Sequence, residues 1–191
     1  MRKTIGCALM AVLFLLTGCG GQIDNRLGWE VSHFSYIDQN GKRLSLEDLK
    51  GKIWIADFVF TSCSTVCPPM TANMEKLRKA VAKEDKDVRF ISFTVDPEMD
   101  TPMKLKQFKA AFTDEREKWS FLTGYTQVEI EQFSRESFKA LVKKEEGTDQ
   151  VNHGTYFYLI DKEGKIVRYY KGNKDVPYKE IIRHIKRLAN E

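Results

Sequence analysis

Two kinds of hydrophobic pattern alternate along this chain of 191 residues. Short, nearly continuous apolar runs are typical of buried strands, whereas apolar residues spaced by three and four positions are typical of amphipathic helices. The first pattern predicts strands at residues 33–38 and 43–44, 53–60, 88–95, 119–122, 155–160 and 165–170. The second predicts helices at about residues 68–83, 102–112, 126–141 and 181–188.

The residues between these segments support the assignment. The sequences at residues 39–42 and 161–164 are turn signals, so each is predicted to join the two strands of a hairpin. Pro102 fits the first turn of a helix that Thr101 caps. Strands that alternate with helices, followed by a hairpin and a closing helix, predict an α/β protein. We expect a thioredoxin-like sandwich with a central mixed sheet, flanking helices and an added N-terminal β-hairpin.

The start of the chain has the pattern of an export signal. Arg2 and Lys3 precede an apolar run at residues 5–16, which is too short to span a bilayer as a helix. The next residues, Leu16-Thr17-Gly18-Cys19, resemble the bacterial lipoprotein box, in which the cysteine is lipidated and becomes the mature N-terminus. We predict a signal peptide at residues 1–18, a lipid anchor on Cys19, a membrane tether at residues 19–28 and a folded domain at residues 29–191, on the extracytoplasmic side of the cell membrane.

Charge and cysteine content narrow the function classes. The formal net charge of +4 falls to +2 when the two basic residues of the signal are removed, so nucleic-acid binding is not expected. Cys7 lies in the signal and Cys19 is the predicted anchor, which leaves Cys63 and Cys67 in the domain. A domain of about 160 residues with one close pair is not a disulfide-stapled scaffold. We therefore expect a chemical role for the pair, in a monomeric protein.

The cysteine pair lies between an apolar strand and a helix that begins near Pro68. Backbone N–H groups and the helix dipole at such a position favour thiolate over thiol. Three residues separate Cys63 from Cys67, a spacing that is compatible with a disulfide. Two thiolates with sulfurs roughly 4 Å apart can also share one metal ion. The pair therefore predicts a redox site, a metal site or both, in which oxidation would abolish metal binding.

The chain has three histidines that could extend this site. His33 lies in the first hairpin and His184 in the last helix, where surface or core roles account for them. His153 is followed by Gly154 and precedes a strand that is expected to end near the cysteine loop. Two thiolates and one imidazole form a soft, three-coordinate set that suits copper. The spacing is also compatible with zinc, which would require a fourth ligand in a structural site.

Two alternative interpretations concern the same region. Met70 and Met74 carry soft thioethers that copper can bind, but their helical spacing indicates a buried stripe. A thioredoxin-type oxidoreductase would have C-x-x-C facing a cis-proline. Here the cysteine spacing is one residue longer, and no proline lies between Pro102 and Pro177. These departures weaken the oxidoreductase interpretation without removing it.

Three segments form a specific combination: Phe58-Val59-Phe60-Thr61-Ser62-Cys63 with Cys67-Pro68, Asp96-Pro97-Glu98-Met99-Asp100-Thr101-Pro102, and His153 before a β-hairpin. Together they resemble the Sco/SenC family, the copper-handling assembly factors of cytochrome c oxidase. The resemblance covers about residues 29–190. Ser64 and Thr65 depart from the family, which often has proline and aspartate there, and the missing negative charge should ease thiolate formation.

The resemblance implies that Cys63, Cys67 and His153 bind copper, as Cu(I), Cu(II) or both, and that the cysteines can form a redox disulfide. It implies a membrane-anchored metallochaperone, not clearly an enzyme, that delivers copper to the binuclear copper A centre of cytochrome c oxidase subunit II. Asp96 would support the site or dock the partner, and capping of the following turn is an equal alternative. The competing functions are a thiol-disulfide reductase for the copper A cysteines and a peroxidatic or peroxide-sensing protein.

Overall fold

A computed structural model describes residues 23–63, 65–114, 118–145, 147–148 and 150–191. The predicted signal peptide, Cys19 and residues 19–22 of the predicted tether lie outside this part of the chain. None of its helices is long and apolar enough to cross a membrane. Residues 23–28, which the sequence assigns to the tether, pack against the domain. Ile23 is buried, and the N–H groups of Leu27 and Gly28 donate to backbone carbonyls further along the chain.

The described residues contain ten strands, four α-helices and a short 3₁₀ helix at Glu47–Leu49. The strands are β1 (Trp29–Glu30), β2 (Ser35–Asp38), β3 (Arg43–Ser45), β4 (Ile53–Val59), β5 (Val88–Thr94), β6 (Trp119–Thr123), β7 (Val142–Lys144), β8 (Val151–His153), β9 (Tyr156–Ile160) and β10 (Lys165–Lys171). The helices are α1 (Cys67–Ala82), α2 (Pro102–Ala110), α3 (Gln127–Phe138) and α4 (Tyr178–Ala189).

Eight of these strands form one mixed sheet in the order β1-β10-β9-β4-β5-β6-β2-β3. Strands β4, β5 and β6 are parallel, and the other neighbours are antiparallel. The predicted N-terminal hairpin, β2 with β3, extends the sheet beyond β6. The predicted α/β class with a central mixed sheet is therefore confirmed. Because β4 and β5 are parallel neighbours, the loops that follow them meet at one edge of the sheet.

The core explains why β4 and α1 form where the sequence predicts them. Every residue of β4 is buried. On one face of the sheet, the Phe58 ring packs against Phe93 and Phe138. Met70 and Met74 of α1 are fully buried, as are the residues that continue their stripe along the helix. The strand and helix that flank the cysteine loop are thus fixed in position by packing.

Helix α3 ends at Phe138, three residues before its predicted end. Thr126 and Glu129 form a capping box at its start, in which each side chain accepts a backbone N–H. At the other end, Lys139 adopts a left-handed conformation with φ 52° and ψ 30°, which terminates the helix. Residues 140–141, predicted as helical, instead lead into β7.

Strands β7 and β8 form a separate two-stranded ribbon that the sequence does not predict. They pair antiparallel, with Val142 opposite His153 and Lys144 opposite Val151. His153 is therefore the last residue of β8 and lies outside the main sheet.

Candidate metal and thiol site

The cysteine loop connects β4 to α1. Cys67 is the first helical residue, and Pro68 follows it in the first turn, where the missing N–H interrupts no helical hydrogen bond. The backbone N–H of Cys67 donates to Cys63 Sγ over 3.4 Å. Both thiols are free, and both residues are buried, with exposed fractions of 6% for Cys63 and 0% for Cys67. The loop therefore holds the Cys63 sulfur at the N-terminus of α1.

The two thiols differ in acidity. Burial raises the pKa of Cys63. Hydrogen bonds from Cys67 and from the N–H groups of Thr65 and Val66 together lower it by more than burial raises it, so the pKa lies below its ordinary value of 9.0. Burial raises the pKa of Cys67 far above that value. Its hydrogen bond to Cys63 and the negative charges of Cys63 and Asp57 act in the same direction. Cys63 is therefore the first of the two to ionise.

His153 faces the cysteine loop. Its Nδ1 lies 3.0 Å from the carbonyl oxygen of Gly154, so Nδ1 carries the hydrogen and Nε2 has the free lone pair. Nε2 lies 3.5 Å from Cys67 Sγ. The ring packs edge-on against Phe60, with 5.7 Å between ring centroids. Burial lowers the pKa of His153, which favours the neutral imidazole that a metal ion requires.

The structure brings together the three residues predicted as metal ligands. A metal ion bound by one sulfur and one imidazole nitrogen separates them by about 3.8 Å, from bond lengths of about 2.3 and 2.1 Å at 120°. The 3.5 Å between Cys67 and His153 is close to that value. Cys63 in turn contacts Cys67, but no group of three His, Cys, Asp or Glu side chains among the described residues is arranged to hold a metal ion. By its chemistry, a set of two thiolates and one imidazole suits a soft ion.

Asp100 joins the loop after β5 to the cysteine loop. Its buried carboxylate accepts the backbone N–H of Thr61 at 3.1 Å and the hydroxyl groups of Thr61 and Thr94. Burial raises the pKa of Asp100, while these hydrogen bonds act in the opposite direction. Since Thr61 lies two residues before Cys63, Asp100 fixes the start of the cysteine loop. The sequence includes Asp100 in a recognisable motif but does not indicate this role.

Asp96 lies two residues after the end of β5 and is fully buried. Its Oδ1 accepts a hydrogen bond from Lys144 Nζ at 2.8 Å, whereas its Oδ2 is buried without a partner among the described residues. The N–H groups of Met99 and Asp100 donate to the backbone carbonyl of Asp96. The following turn is thus closed by main-chain bonds, and the Asp96 side chain is directed toward the ribbon that carries His153.

Other candidate ligands have structural roles, as the sequence predicts. His184 is buried and lies 2.6 Å from the hydroxyl of Tyr170, through its Nδ1. His33 is exposed and lies 3.1 Å from the carboxylate of Glu47. Met70 and Met74 are both fully buried in the core. These residues leave His153 as the histidine beside the cysteines.

Asp57 is a buried carboxyl group that the sequence analysis misses. It lies in β4 opposite Ser92 of β5, and its exposed fraction is 0%. Neither carboxylate oxygen has a hydrogen-bond partner among the described residues. Burial raises its pKa to about 7, and the neighbouring Ser92 hydroxyl, which is not placed to hydrogen-bond either oxygen, offsets this only in part. The available signal was one acidic residue in an otherwise apolar strand, six positions before Cys63.

An open groove of about 580 Å³ adjoins His153. Its walls are largely aromatic and apolar, and they include Leu141, Tyr156 and Tyr169, all of which are exposed. The site can therefore be approached from the side of His153.

The chain is similar to known proteins in sequence and in fold. The SCO1/SenC family model matches residues 26–190. A SCO1/SenC family lipoprotein from Bacillus anthracis has 49% sequence identity and a TM-score of 0.86, over 88% of this chain and 99% of that chain. BsSco, a member of the Sco family of cytochrome c oxidase assembly proteins in which a disulfide switch was identified, has 50% identity and a TM-score of 0.82, over 88% and 98% of the two chains.

A more distant structure contains the metal. It is ScoI from Bradyrhizobium japonicum with copper bound, with 29% identity and a TM-score of 0.69, over 83% of this chain and 99% of that chain. The family match spans almost the whole described domain, and the fold matches these structures with TM-scores between 0.69 and 0.86. The chain therefore belongs to the SCO1/SenC family.

Proposed function

We propose that this protein is a copper-binding metallochaperone that delivers copper to the binuclear copper A centre of cytochrome c oxidase subunit II. The observation that carries the proposal is the contact of 3.5 Å between Cys67 Sγ and the lone pair of His153 Nε2, beside the second thiol of Cys63. Two thiolates and an imidazole suit copper. Copper in a structure of the same fold and the oxidase assembly role of the Sco family support the assignment.

The surroundings of the three ligands favour reversible binding. Burial lowers the pKa of His153 and so favours its neutral form, and hydrogen bonds lower the pKa of Cys63 and so favour its thiolate. Cys67 holds its proton strongly, so a metal ion must displace that proton before the third bond can form. We infer that protonation of Cys67 assists release of the ion to the oxidase, whose subunit II would approach along the groove beside His153.

The difference in acidity also favours the second candidate, a thiol-disulfide reductase. In that reaction the Cys63 thiolate attacks a disulfide of the partner and forms a mixed disulfide, and one partner thiolate leaves. Cys67 then loses its proton and attacks Cys63, which releases the second partner thiolate. The partner gains two electrons and the Cys63–Cys67 pair becomes a disulfide. This reaction does not require His153.

A copper titration of the reduced protein tests the proposal. We expect the parent protein to bind one copper ion and His153→Ala to bind it at least about tenfold more weakly, with an altered absorption spectrum, because one of three ligands is lost. The matched control is His33→Ala, since His33 is 71% exposed and its Nδ1 lies 3.1 Å from the carboxylate of Glu47. Equal affinity and equal spectra for His153→Ala and the parent would rule out the three-ligand site.

Oxidase assembly in cells separates the two candidates. Copper delivery requires both Cys67 and His153, so Cys67→Ser and His153→Ala should each reduce assembled oxidase, as measured by copper A absorbance in membranes. If His153→Ala retains assembly while Cys67→Ser does not, thiol exchange is the better account.

We also propose that Cys19 is lipidated and holds the domain on the extracytoplasmic side of the membrane. A SCO1/SenC lipoprotein of the same fold supports this location. Metabolic labelling with an alkyne fatty acid should mark the parent protein and Cys7→Ala, but not Cys19→Ala. Label on the Cys19→Ala protein would contradict the anchor.

A further inference from the structure

The β7–β8 ribbon, which carries His153, is too short to be stable by itself. Strands β7 and β8 contribute three residues each, and among the described residues they pair only with each other. An isolated two-stranded hairpin is at best marginally stable in water. The distance from His153 to the cysteines therefore depends on contacts between the ribbon and the rest of the domain.

One face of the ribbon makes these contacts. Residues opposite each other in antiparallel strands project to the same face, and alternate residues share it. Val142, Lys144, Val151 and His153 therefore point the same way. Val142 and Val151 are buried, with exposed fractions of 2% and 6%. Apolar contacts thus seat this face on the domain, but they do not by themselves specify a unique position along it.

Lys144 makes a directional contact between this face and the loop after β5. Its Nζ lies 2.8 Å from Asp96 Oδ1 and 3.0 Å from Glu98 Oε2. Its backbone N–H donates to Glu131 Oε1 of α3 at 3.1 Å. The Asp96 side chain is 1% exposed and that of Lys144 is 24% exposed, so this ion pair is shielded far more than a surface pair. A buried carboxylate that loses its cationic partner is costly, which favours one position of the ribbon.

The same loop also positions the cysteines. The N–H of Asp100 donates to the Asp96 carbonyl at 2.9 Å, and the Asp100 carboxylate binds Thr61 at the start of the cysteine loop. The path from Lys144 through Asp96 and Asp100 to Thr61 therefore consists of hydrogen bonds and one short loop. The loop after β5 is the common support of both halves of the site.

We propose that Lys144 is a positioning residue for His153: its ion pair with Asp96 holds the β7–β8 ribbon at the distance where His153 Nε2 meets Cys67 Sγ. The inference rests on the proposed copper site and adds a residue whose hydrogen bonds and ion pairs, among the described residues, are with Asp96, Glu98 and Glu131 and not with the three ligands. Without the Lys144 cation, the ribbon retains its apolar contacts but loses its fixed position, and His153 samples distances too long for shared coordination.

The test compares Lys144→Met with Lys144→Arg and Lys143→Met, each in the full chain extracted in detergent. Methionine keeps the length of the side chain and removes the charge. Arginine keeps the charge. Lys143 provides the matched control because its side chain is 64% exposed and its ion pair with Glu131 is long, at 3.7 Å. We expect copper affinity to fall about tenfold in Lys144→Met, to recover largely in Lys144→Arg and to stay unchanged in Lys143→Met.

Two readouts do not depend on bound copper. Hydrogen exchange in the metal-free protein should become faster at the amides of β7 and β8 in Lys144→Met and stay unchanged in β4. The reduction potential of the Cys63–Cys67 disulfide should be the same as in the parent, because the cysteine loop is held by Asp100. A ribbon whose exchange does not change, or copper affinity equal to that of the parent, would overturn the proposal.

Further outcomes separate the proposal from a general loss of stability and from failure of the copper site. Faster exchange in β4 as well as in the ribbon would show that Lys144 only stabilises the fold. If Lys144→Met does not fold, the double variant Asp96→Asn/Lys144→Met removes the buried charge together with its partner. Hydrogen exchange at the amides of β7 and β8 in that variant then tests the role of Lys144. A parent protein that does not bind copper contradicts the proposed function, while ribbon exchange still tests the role of Lys144.

Discussion

At pH 8, Asp57→Asn is expected to be more stable than the parent protein by up to about 4 kcal/mol. The carboxyl group of Asp57 is completely buried, and neither oxygen has a hydrogen-bond partner among the described residues. Its pKa is about 7 in the folded protein, against an ordinary value of 3.8. The folded chain must therefore carry an unpaired buried charge above pH 7, which asparagine removes with almost no change in shape.

The pH dependence has a definite sign. Between about pH 4 and pH 7 the folded protein holds a proton on Asp57 that the unfolded chain has released, so the stability contributed by this group falls as the pH rises through that range. Below pH 4 both states are protonated and the advantage of asparagine disappears. Urea unfolding of both proteins at pH 4 and pH 8 measures the difference at each end.

Asp100→Asn is the matched control for this substitution. Asp100 is also a buried aspartate with a raised pKa, but its carboxylate accepts hydrogen bonds from Thr61 and Thr94. An amide in its place would direct N–H groups toward donors, so this variant is expected to be less stable than the parent. An Asp57→Asn protein whose advantage is equal at pH 4 and pH 8, or that is destabilised at pH 8, would contradict the assignment of Asp57 as an unpaired buried acid.

In the reduced protein at pH 7.5, iodoacetamide is expected to modify Cys63 at least about 100-fold faster than Cys67. The thiolate is the reactive form, and the pKa of Cys63 lies below its ordinary value while that of Cys67 is raised far above it. Each unit of pKa difference changes the thiolate fraction about tenfold, and only part of this is offset by the greater nucleophilicity of the more basic sulfur. Peptide mass spectrometry over a time course measures both rates.

Urea-unfolded protein is the control for the alkylation experiment, because both cysteines should react at similar rates once the loop and helix are lost. Faster modification of Cys67 in the folded protein would reverse the assignment of roles in thiol exchange, in which Cys63 attacks and Cys67 resolves. It would also show that the N-terminus of α1 stabilises the other sulfur.

The sequence predicts the parts of this protein in which local pattern and packing agree. Strand β4 is apolar at almost every position and is buried at every position, and the Met70 and Met74 stripe of α1 is in the core. The position of the cysteine loop is predictable because the loop lies between these two elements. Copper ligation by Cys63, Cys67 and His153 remains a prediction, although the structure places these residues at one site.

The missed features depend on contacts between distant residues. Strands β7 and β8 have three residues each, two of the three in β7 are lysines, and neither strand has an alternating pattern that would mark it in the sequence. The residues after Phe138 continue a helical pattern, and only the left-handed conformation of Lys139 ends the helix. Lys144 resembles any other surface lysine in the sequence, because its partner Asp96 lies 48 residues away.

The separation of the ligands along the chain has a consequence for the order of folding. Cys63 and Cys67 lie four positions apart and are close together as soon as the first third of the chain exists, whereas Cys67 and His153 lie 86 positions apart. Contacts of such long range form late, since the intervening chain must be ordered first. A newly made, unfolded chain therefore presents two thiols without their imidazole partner. Full copper affinity would then arise only on completed folding, and an incompletely folded molecule would bind copper weakly.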